Sequence, residues 1–135
     1  MITLDAVSKR YGDEVAVQSV SLSVPAEETT VLIGPSGSGK STLLRLMIGL
    51  TRPDEGVVTI GDTPLTEHTA PSLRRRMGYV IQEGGLFPHL TGRGNVALMA
   101  RHLGWASDRM DARIAELTEL VQLDPDRLGP YPTQL

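Results

Sequence analysis

Apolar and polar residues alternate along the first part of the chain. Ile2, Leu4 and Ala6 share one parity, and Val15, Val17, Val20, Leu22 and Val24 nearly do. That period predicts two strands around the turn YGDE (11–14). TTVLIG (29–34) breaks the alternation: it is β-branched and apolar on both faces, the pattern of a strand covered on both sides. Residues 40–50 carry Leu43, Leu44, Leu46, Met47, Ile48 and Leu50, which predicts a helix apolar nearly all round and therefore buried. TRPDEG (51–56) reads as a turn and VVTIG (57–61) as a short strand. Pro71 suits the opening of a short helix over SLRRR, and MGYVIQ (77–82) is a second buried-type strand. Val96, Met99, Ala100 and Leu103 predict a helix ended by Gly104. Met110, Ile114, Leu117 and Val121 predict another, with Ser107 as cap and Asp108 at its positive end. Residues 128–135, broken by Pro130 and Pro132, read as loop.

Composition narrows the class. The 135 residues are one domain's length, 40% hydrophobic and 21% charged, which reads as globular. The absence of cysteine excludes a disulfide framework and thiolate metal sites. A net charge of −3 argues against broad electrostatic binding of nucleic acid. No apolar run approaches the roughly 20 residues of a membrane span, and charges stand where a signal peptide would be apolar, so a cytosolic chain is expected. Glycine stands out, at 14 residues.

The glycines gather where the chemistry is. GPSGSGKST comprises Gly34, Pro35, Ser36, Gly37, Ser38, Gly39, Lys40, Ser41 and Thr42, and fits G-x-x-x-x-G-K-[ST]. A polyphosphate needs many donors converging on its oxygens. Gly34, Gly37 and Gly39 let backbone N–H groups turn inward without Cβ clashes. The helix starting near Lys40 adds its positive end, and Lys40 offers an ammonium to the β- and γ-phosphates. Ser41 is placed to hold Mg²⁺, and Thr42 to reach a more internal phosphate. A glycine-rich turn that binds nothing is the bland alternative, and the expected strand before the loop and helix after it weigh against that. Kinases, GTPases and transport ATPases share this loop, so it does not choose between them.

The surroundings do choose. VSKRYG (7–12), VAVQSVSLSV, TTVLIGPSGSGKSTLLRLMIGL, TRPDEGVVTIGD and GYVIQ together resemble the nucleotide-binding subunit of ABC transporters along the whole chain. The wording GYVIQ-x-x-GLFPHLT with NVALMARHLGW looks most like importers of osmoprotectants such as glycine betaine or choline. The resemblance implies an α/β fold: a P-loop NTPase core of the ABC ATPase kind, with an N-terminal antiparallel β subdomain and the start of the helical subdomain, truncated. Residues 1–82 would be the β subdomain and P-loop core, and residues 83–135 the Q-loop and the start of the helical subdomain. It implies ATP and Mg²⁺ as ligands, Tyr11 as the adenine-stacking aromatic, and Gln82 as the Q-loop glutamine that reaches Mg²⁺ and the attacking water. By position alone Tyr11 is equally a strand aromatic, and Gln82 a polar residue at a strand end.

The resemblance also implies partners. EGGLFPHLT (83–91) would, with the helices after it, form the cleft where a transmembrane permease subunit docks near residues 82–91. Leu86, Phe87 and Leu90 beside two glycines suit an apolar groove, or else a small loop covering the core. A second nucleotide-binding subunit completes the family's dimer, and the location implied is cytoplasmic, on the inner face of the membrane through the permease. Gly94 departs from the family, which commonly has an acidic residue before Asn95, and is expected to weaken the helix start. Arg74–Arg76 read as a solvated helix face, not as nucleic-acid binders, and His68, His89 and His102 lack metal-like spacing.

Several family features are not found in the 135 residues. An LSGGQ-like signature is expected to begin at about Leu135, followed by an apolar strand ending in Asp-Glu and a switch histidine. The pairs Asp13-Glu14 and Asp54-Glu55 lie in turns instead. The expectation is therefore a chain that binds nucleotide and hydrolyses it poorly. In the family's sheet the missing strands lie between 29–34 and 77–82, so exposed apolar faces and marginal stability or self-association are expected. Two other functions compete: a non-catalytic nucleotide-binding or docking module, and a soluble ABC-type ATPase outside transport.

Overall fold

The computed structural model describes residues 1–82 and 84–134. They form two compact units, Met1–Tyr79 and a second from Val80 onward.

The first unit is built on a hairpin of β1 (Ile2–Tyr11) and β2 (Glu14–Val24), extended by β3 (Glu55–Ile60) and β4 (Thr63–Pro64) into an antiparallel sheet of order β2-β1-β3-β4. The expected hairpin forms, but its parity shifts midway. Leu4 pairs with Leu22, and the next inward residue is Val7, paired with Val20. Ala6 and Ser19 take positive φ (47° and 46°) at this irregularity, and two hydroxyls replace lost ladder partners. Ala6 N donates to Ser21 Oγ at 3.0 Å, and Ser19 N donates to Ser8 Oγ at 3.0 Å. Ala6, expected inward with Ile2 and Leu4, is exposed because the bulge passes its place to Val7.

Helix α1 (Lys40–Met47) lays Leu43, Leu46 and Met47 on Leu4, Val7, Val17 and Val58 of the sheet. Its other side, with Leu44 and Arg45, is exposed, so α1 is amphipathic and not buried all round. Pro71 stands in the first turn of α2 (Ala70–Arg74), as expected. Arg74, expected on a solvated face, caps α1: its Nε donates to Ile48 O at 3.1 Å and its Nη2 to Gly49 O. Carbonyls left unpaired at a helix end need such donors.

The two expected buried strands, 29–34 and 77–82, are not strands. Leu32 packs against the core, while Ile33 is 92% exposed and Val80 94% exposed. β-branched composition marks backbone that favours an extended form, but a ladder also needs a neighbour, and no described strand pairs with either segment. The apolar faces are bare, as that missing neighbour requires.

The second unit packs α3 (Gly92–His102) with α4 (Ser107–Leu120) and the 3₁₀ turn Pro125–Leu128. Ala97, Ile114 and Leu128 form its core. The helix expected from Val96, Met99, Ala100 and Leu103 forms, but that apolar stripe does not supply its buried face. Val96, Met99 and Leu103 are exposed, and Gly94 and Ala97 make the buried face, because small residues let the helix approach closely. An added Cβ at Gly94 would stand 3.2 Å from Leu90 Cβ, so the glycine trades helix propensity for packing. Ser107 is the first residue of α4 and not its cap; Ala106 holds the cap position and no side chain caps the helix. Thr118, facing inward, donates to Ala115 O at 2.8 Å, which settles its buried hydroxyl. No helix among the described residues is long and apolar enough to cross a membrane.

Candidate functional site

Residues 34–39 turn the chain from Leu32, seated on the core, into α1. The turn is tight because Gly37 and Gly39 take φ of 80° and 86°. A Cβ on Gly39 would stand 2.3 Å from Ala16 O, so the loop lies directly on β2. Leu43 N donates to Gly39 O at 2.8 Å and closes the first helical turn. No side chain caps the start of α1 and no acidic residue lies in its first turn, so the helix presents open N–H groups and its positive end to the loop.

Lys40 is drawn back into that loop. Its Nζ donates to Gly34 O at 2.8 Å, Pro35 O at 2.7 Å and Ser38 Oγ at 3.2 Å. The ammonium is thus held inside the curve of residues 34–38 with its three protons used. Ser36 and Ser41 are exposed, and Thr42 is half-buried. A cavity of about 400 Å³ lies beside the loop, walled by Val17, Gln18, Gly34, Pro35, Ser38 and Lys40. No carboxylate lines it, so the lysine and the helix start set its charge. The structure therefore brings together every predicted loop residue, from Gly34 to Thr42, at the start of one helix.

Tyr11 stands at the end of β1 with about half its surface exposed. The same hairpin supplies Ala16, Val17 and Gln18 to the cavity wall. The Lys9 ammonium lies 5.7 Å from the centroid of the Tyr11 ring. Asp54 accepts from Lys9 Nζ and from Arg10 N, both at 2.7 Å. The hydrogen bond from Lys9, aided by the one from Arg10, holds the Asp54 carboxyl below its usual range. Sequence reasoning missed this pair, which spans 45 positions; its one local sign was an acidic residue in a turn next to a strand.

Gln82 is exposed in a bend of the second unit, and Glu83, part of the expected docking stretch, lies outside the described residues, as does Leu135. Leu86 and Phe87 are exposed, and Leu90 is half-buried. With Val96, Met99 and His102 of α3 the first two line a groove of about 450 Å³. Asn95, which sequence reasoning assigned no role, ties the loop to the helix. Its Oδ1 accepts from Phe87 N at 2.7 Å, and its Nδ2 donates to Phe87 O, Leu90 O and Thr91 O at 3.0–3.1 Å. Thr91 caps α3 by accepting from Gly94 N at 3.1 Å. Among the described residues no group of His, Cys, Asp and Glu could hold a metal ion.

Comparison with known proteins agrees with this architecture. The family model described as ABC transporter matches residues 17–135. The chain is 39% identical to the glycine betaine/carnitine/choline transport ATP-binding protein OpuCA of Bacillus subtilis, over all of this chain and 36% of that protein. It is 41% identical to the Fe(3+) ions import ATP-binding protein FbpC 2 of Rhodococcus jostii, over 99% of this chain and 38% of that one. Among solved structures, the dimeric bacterial ABC transporter cassette MJ0796 matches with a TM-score of 0.90 at 32% identity, over all of this chain and 63% of that chain. The same cassette in a post-hydrolysis state bound to ADP and Pi matches with a TM-score of 0.89. The chain thus spans about a third of the length of the curated relatives it matches. A hairpin sheet, a glycine loop with an inward lysine, a helix opened at that lysine, and these matches agree: the chain belongs to the ABC transporter family.

Proposed function

We propose that the chain is the N-terminal part of the ATP-binding subunit of an ABC importer and binds magnesium-ATP at residues 34–42. The observation that carries this reading is the Lys40 ammonium, held by three oxygens inside a loop that ends at an uncapped helix start. Those three bonds can be exchanged for phosphate oxygens, which accept charge-assisted bonds of greater strength. The residues fit a triphosphate: the cavity has no carboxylate, and the glycine loop leaves room for main-chain donors. The amides of Gly34, Ser36, Gly37, Ser38 and Gly39 would cradle the phosphates, with Pro35, which has no N–H, shaping the turn between them; Lys40 would bridge the outer two, and Thr42 would reach an inner one. Ser41 would hold Mg²⁺, with Gln82 as the further ligand that the family resemblance implies, and the ion would offset the negative charge of the phosphates. Tyr11 would stack on the base, and Gln82 would orient the attacking water.

Residues 1–82 then act as β subdomain and P-loop core, and the remainder as Q-loop and helical subdomain. The groove beside Leu86 and Phe87 suits an apolar helix of a permease subunit, since its wall is apolar and its rim is fixed by Asn95. A second nucleotide-binding subunit and a place on the inner face of the membrane follow from this role. The likeness to OpuCA favours an osmoprotectant of the quaternary-amine class, whereas the likeness to FbpC 2 favours Fe(3+). Uptake of labelled choline or iron by cells expressing the whole importer separates the two.

Phosphoryl transfer depends on placing charge and an activated water. These 135 residues place no Asp-Glu pair at the end of an apolar strand, so the chain by itself should bind nucleotide and release phosphate slowly. Calorimetry with magnesium-ATP, run beside a steady-state phosphate-release assay, tests both halves. Turnover equal to that of an intact family member would overturn the second.

A further inference from the structure

Asp54 grips three successive residues of β1 from the turn before β3. Its N–H donates to Ser8 O at 2.9 Å, its Oδ1 accepts from Lys9 Nζ at 2.7 Å, and its Oδ2 accepts from Arg10 N at 2.7 Å. Arg10 continues the chain of contacts by donating from Nη2 to Asp13 O at 3.3 Å, in the hairpin turn just past Tyr11. The Lys9 side chain is only 15% exposed, unusually covered for a lysine. Its ammonium is directed over the Tyr11 ring while Asp54 holds it. A lysine serving only solubility would extend into water and keep its rotamer freedom.

We propose that Lys9 and Asp54 are positioning residues for Tyr11, fixing its ring so that one face meets the ammonium and the other is offered to an aromatic base. The proposal deepens the nucleotide-binding reading above and rests on it. Asp54 sets the backbone just before Tyr11 through Arg10 N and sets the cation through Lys9 Nζ, so one carboxylate controls both the place and the tilt of the ring. A cation over one face draws the ring's electrons towards itself and lowers their repulsion of a base stacked on the opposite face. A ring held in advance also loses less freedom when the base arrives. The ligand class is a purine-bearing triphosphate. Neither residue lines the cavity beside the phosphate loop, so the pair should act on the base and leave phosphate binding alone.

The test compares two probes on the full 135-residue chain, magnesium-ATP and magnesium tripolyphosphate, by titration calorimetry. Asp54→Asn and Lys9→Met should each weaken ATP about two- to fivefold, the range of a single exposed cation–ring contact, and leave tripolyphosphate unchanged. Lys9→Arg should keep the wild-type affinity for ATP, since it retains the cation and its carboxylate partner. Should Asp54→Asn fail to fold, Lys9→Met and Lys9→Arg carry the comparison. Equal weakening of both probes would mean a general loss of structure and would overturn the proposal. If Tyr11→Ala weakens ATP while Lys9→Met and Asp54→Asn do not, positioning is refuted and stacking by Tyr11 stands. If Tyr11→Ala also leaves ATP unchanged, the stacking role itself is wrong and the proposal falls with it.

Discussion

The Lys40 ammonium lies 2.7 Å from the carbonyl oxygen of Pro35, inside the loop whose amides would face a triphosphate. The loop is therefore shaped with its cation already in place, and binding exchanges neutral carbonyl partners for anionic ones. An inward lysine is what the proposed phosphate loop requires, and a glycine-rich turn that binds nothing has no such requirement.

Gly39 is the residue on which the loop's shape turns. Its φ of 86° suits no side chain, and a Cβ would meet Ala16 O at 2.3 Å. Gly39→Ala should cost at least ~1–2 kcal/mol from the left-handed backbone alone, with the collision added. Thermal melts followed by circular dichroism should show a lower midpoint, whereas a wild-type midpoint would mean that the loop does not press on β2.

Asn95 makes four hydrogen bonds to the stretch from Phe87 to Thr91. Asn95→Ala should lose ~1–3 kcal/mol, the cost of leaving half-buried groups unpaired. Asn95→Asp should be worse, since it keeps the acceptor for Phe87 N but turns a negative oxygen towards three carbonyls. Hydrogen exchange at the Phe87 amide should speed up in Asn95→Ala, which removes its acceptor, and thermal melts should show the larger loss for Asn95→Asp.

Arg74 supplies donors to Ile48 O and Gly49 O at the end of α1. Arg74→Met keeps much of the stem and removes the donors, and should lower stability by ~0.5–1.5 kcal/mol. Equal melting midpoints would return Arg74 to the solvated face that its run of arginines first suggested.

Acid should loosen the β1–β3 side of the sheet. Asp54 has a lowered pKa, first from the Lys9 hydrogen bond and then from Arg10 N–H, so its unfolded form takes up protons more readily than its folded form. The stability it gives is present above the ordinary carboxylate range near 3.8 and is lost as pH falls through the lower folded value. Melting midpoints between pH 6 and pH 3 should therefore drop further for the wild type than for Asp54→Asn. Parallel curves would show that the carboxylate adds nothing.

Much of the fold was legible where the signal is local. The glycine loop, the hairpin about Gly12 and the proline-led α2 depend on residues a few positions apart. The legible part ended where a distant partner decides. Segments 29–34 and 77–82 read as strands from composition, yet a ladder needs a neighbour, and Ile33 and Val80 face solvent without one. Opposed bulges at Ala6 and Ser19 shifted the parity of both strands at one place, which alternation counted along either strand does not reveal. For the site, residues 34–42 were readable as a unit, while Lys9–Asp54 and Asn95 were not, since each acts through contacts that only the folded chain brings together.

Titration of the folded chain with magnesium-ATP, in wild type and Lys40→Ala, tests the central claim most directly. The account predicts a saturable heat signal in the wild type that Lys40→Ala weakens at least tenfold while the melting midpoint stays near its original value. An ATP signal left untouched by Lys40→Ala, or no signal from a wild-type chain that is demonstrably folded, would contradict it.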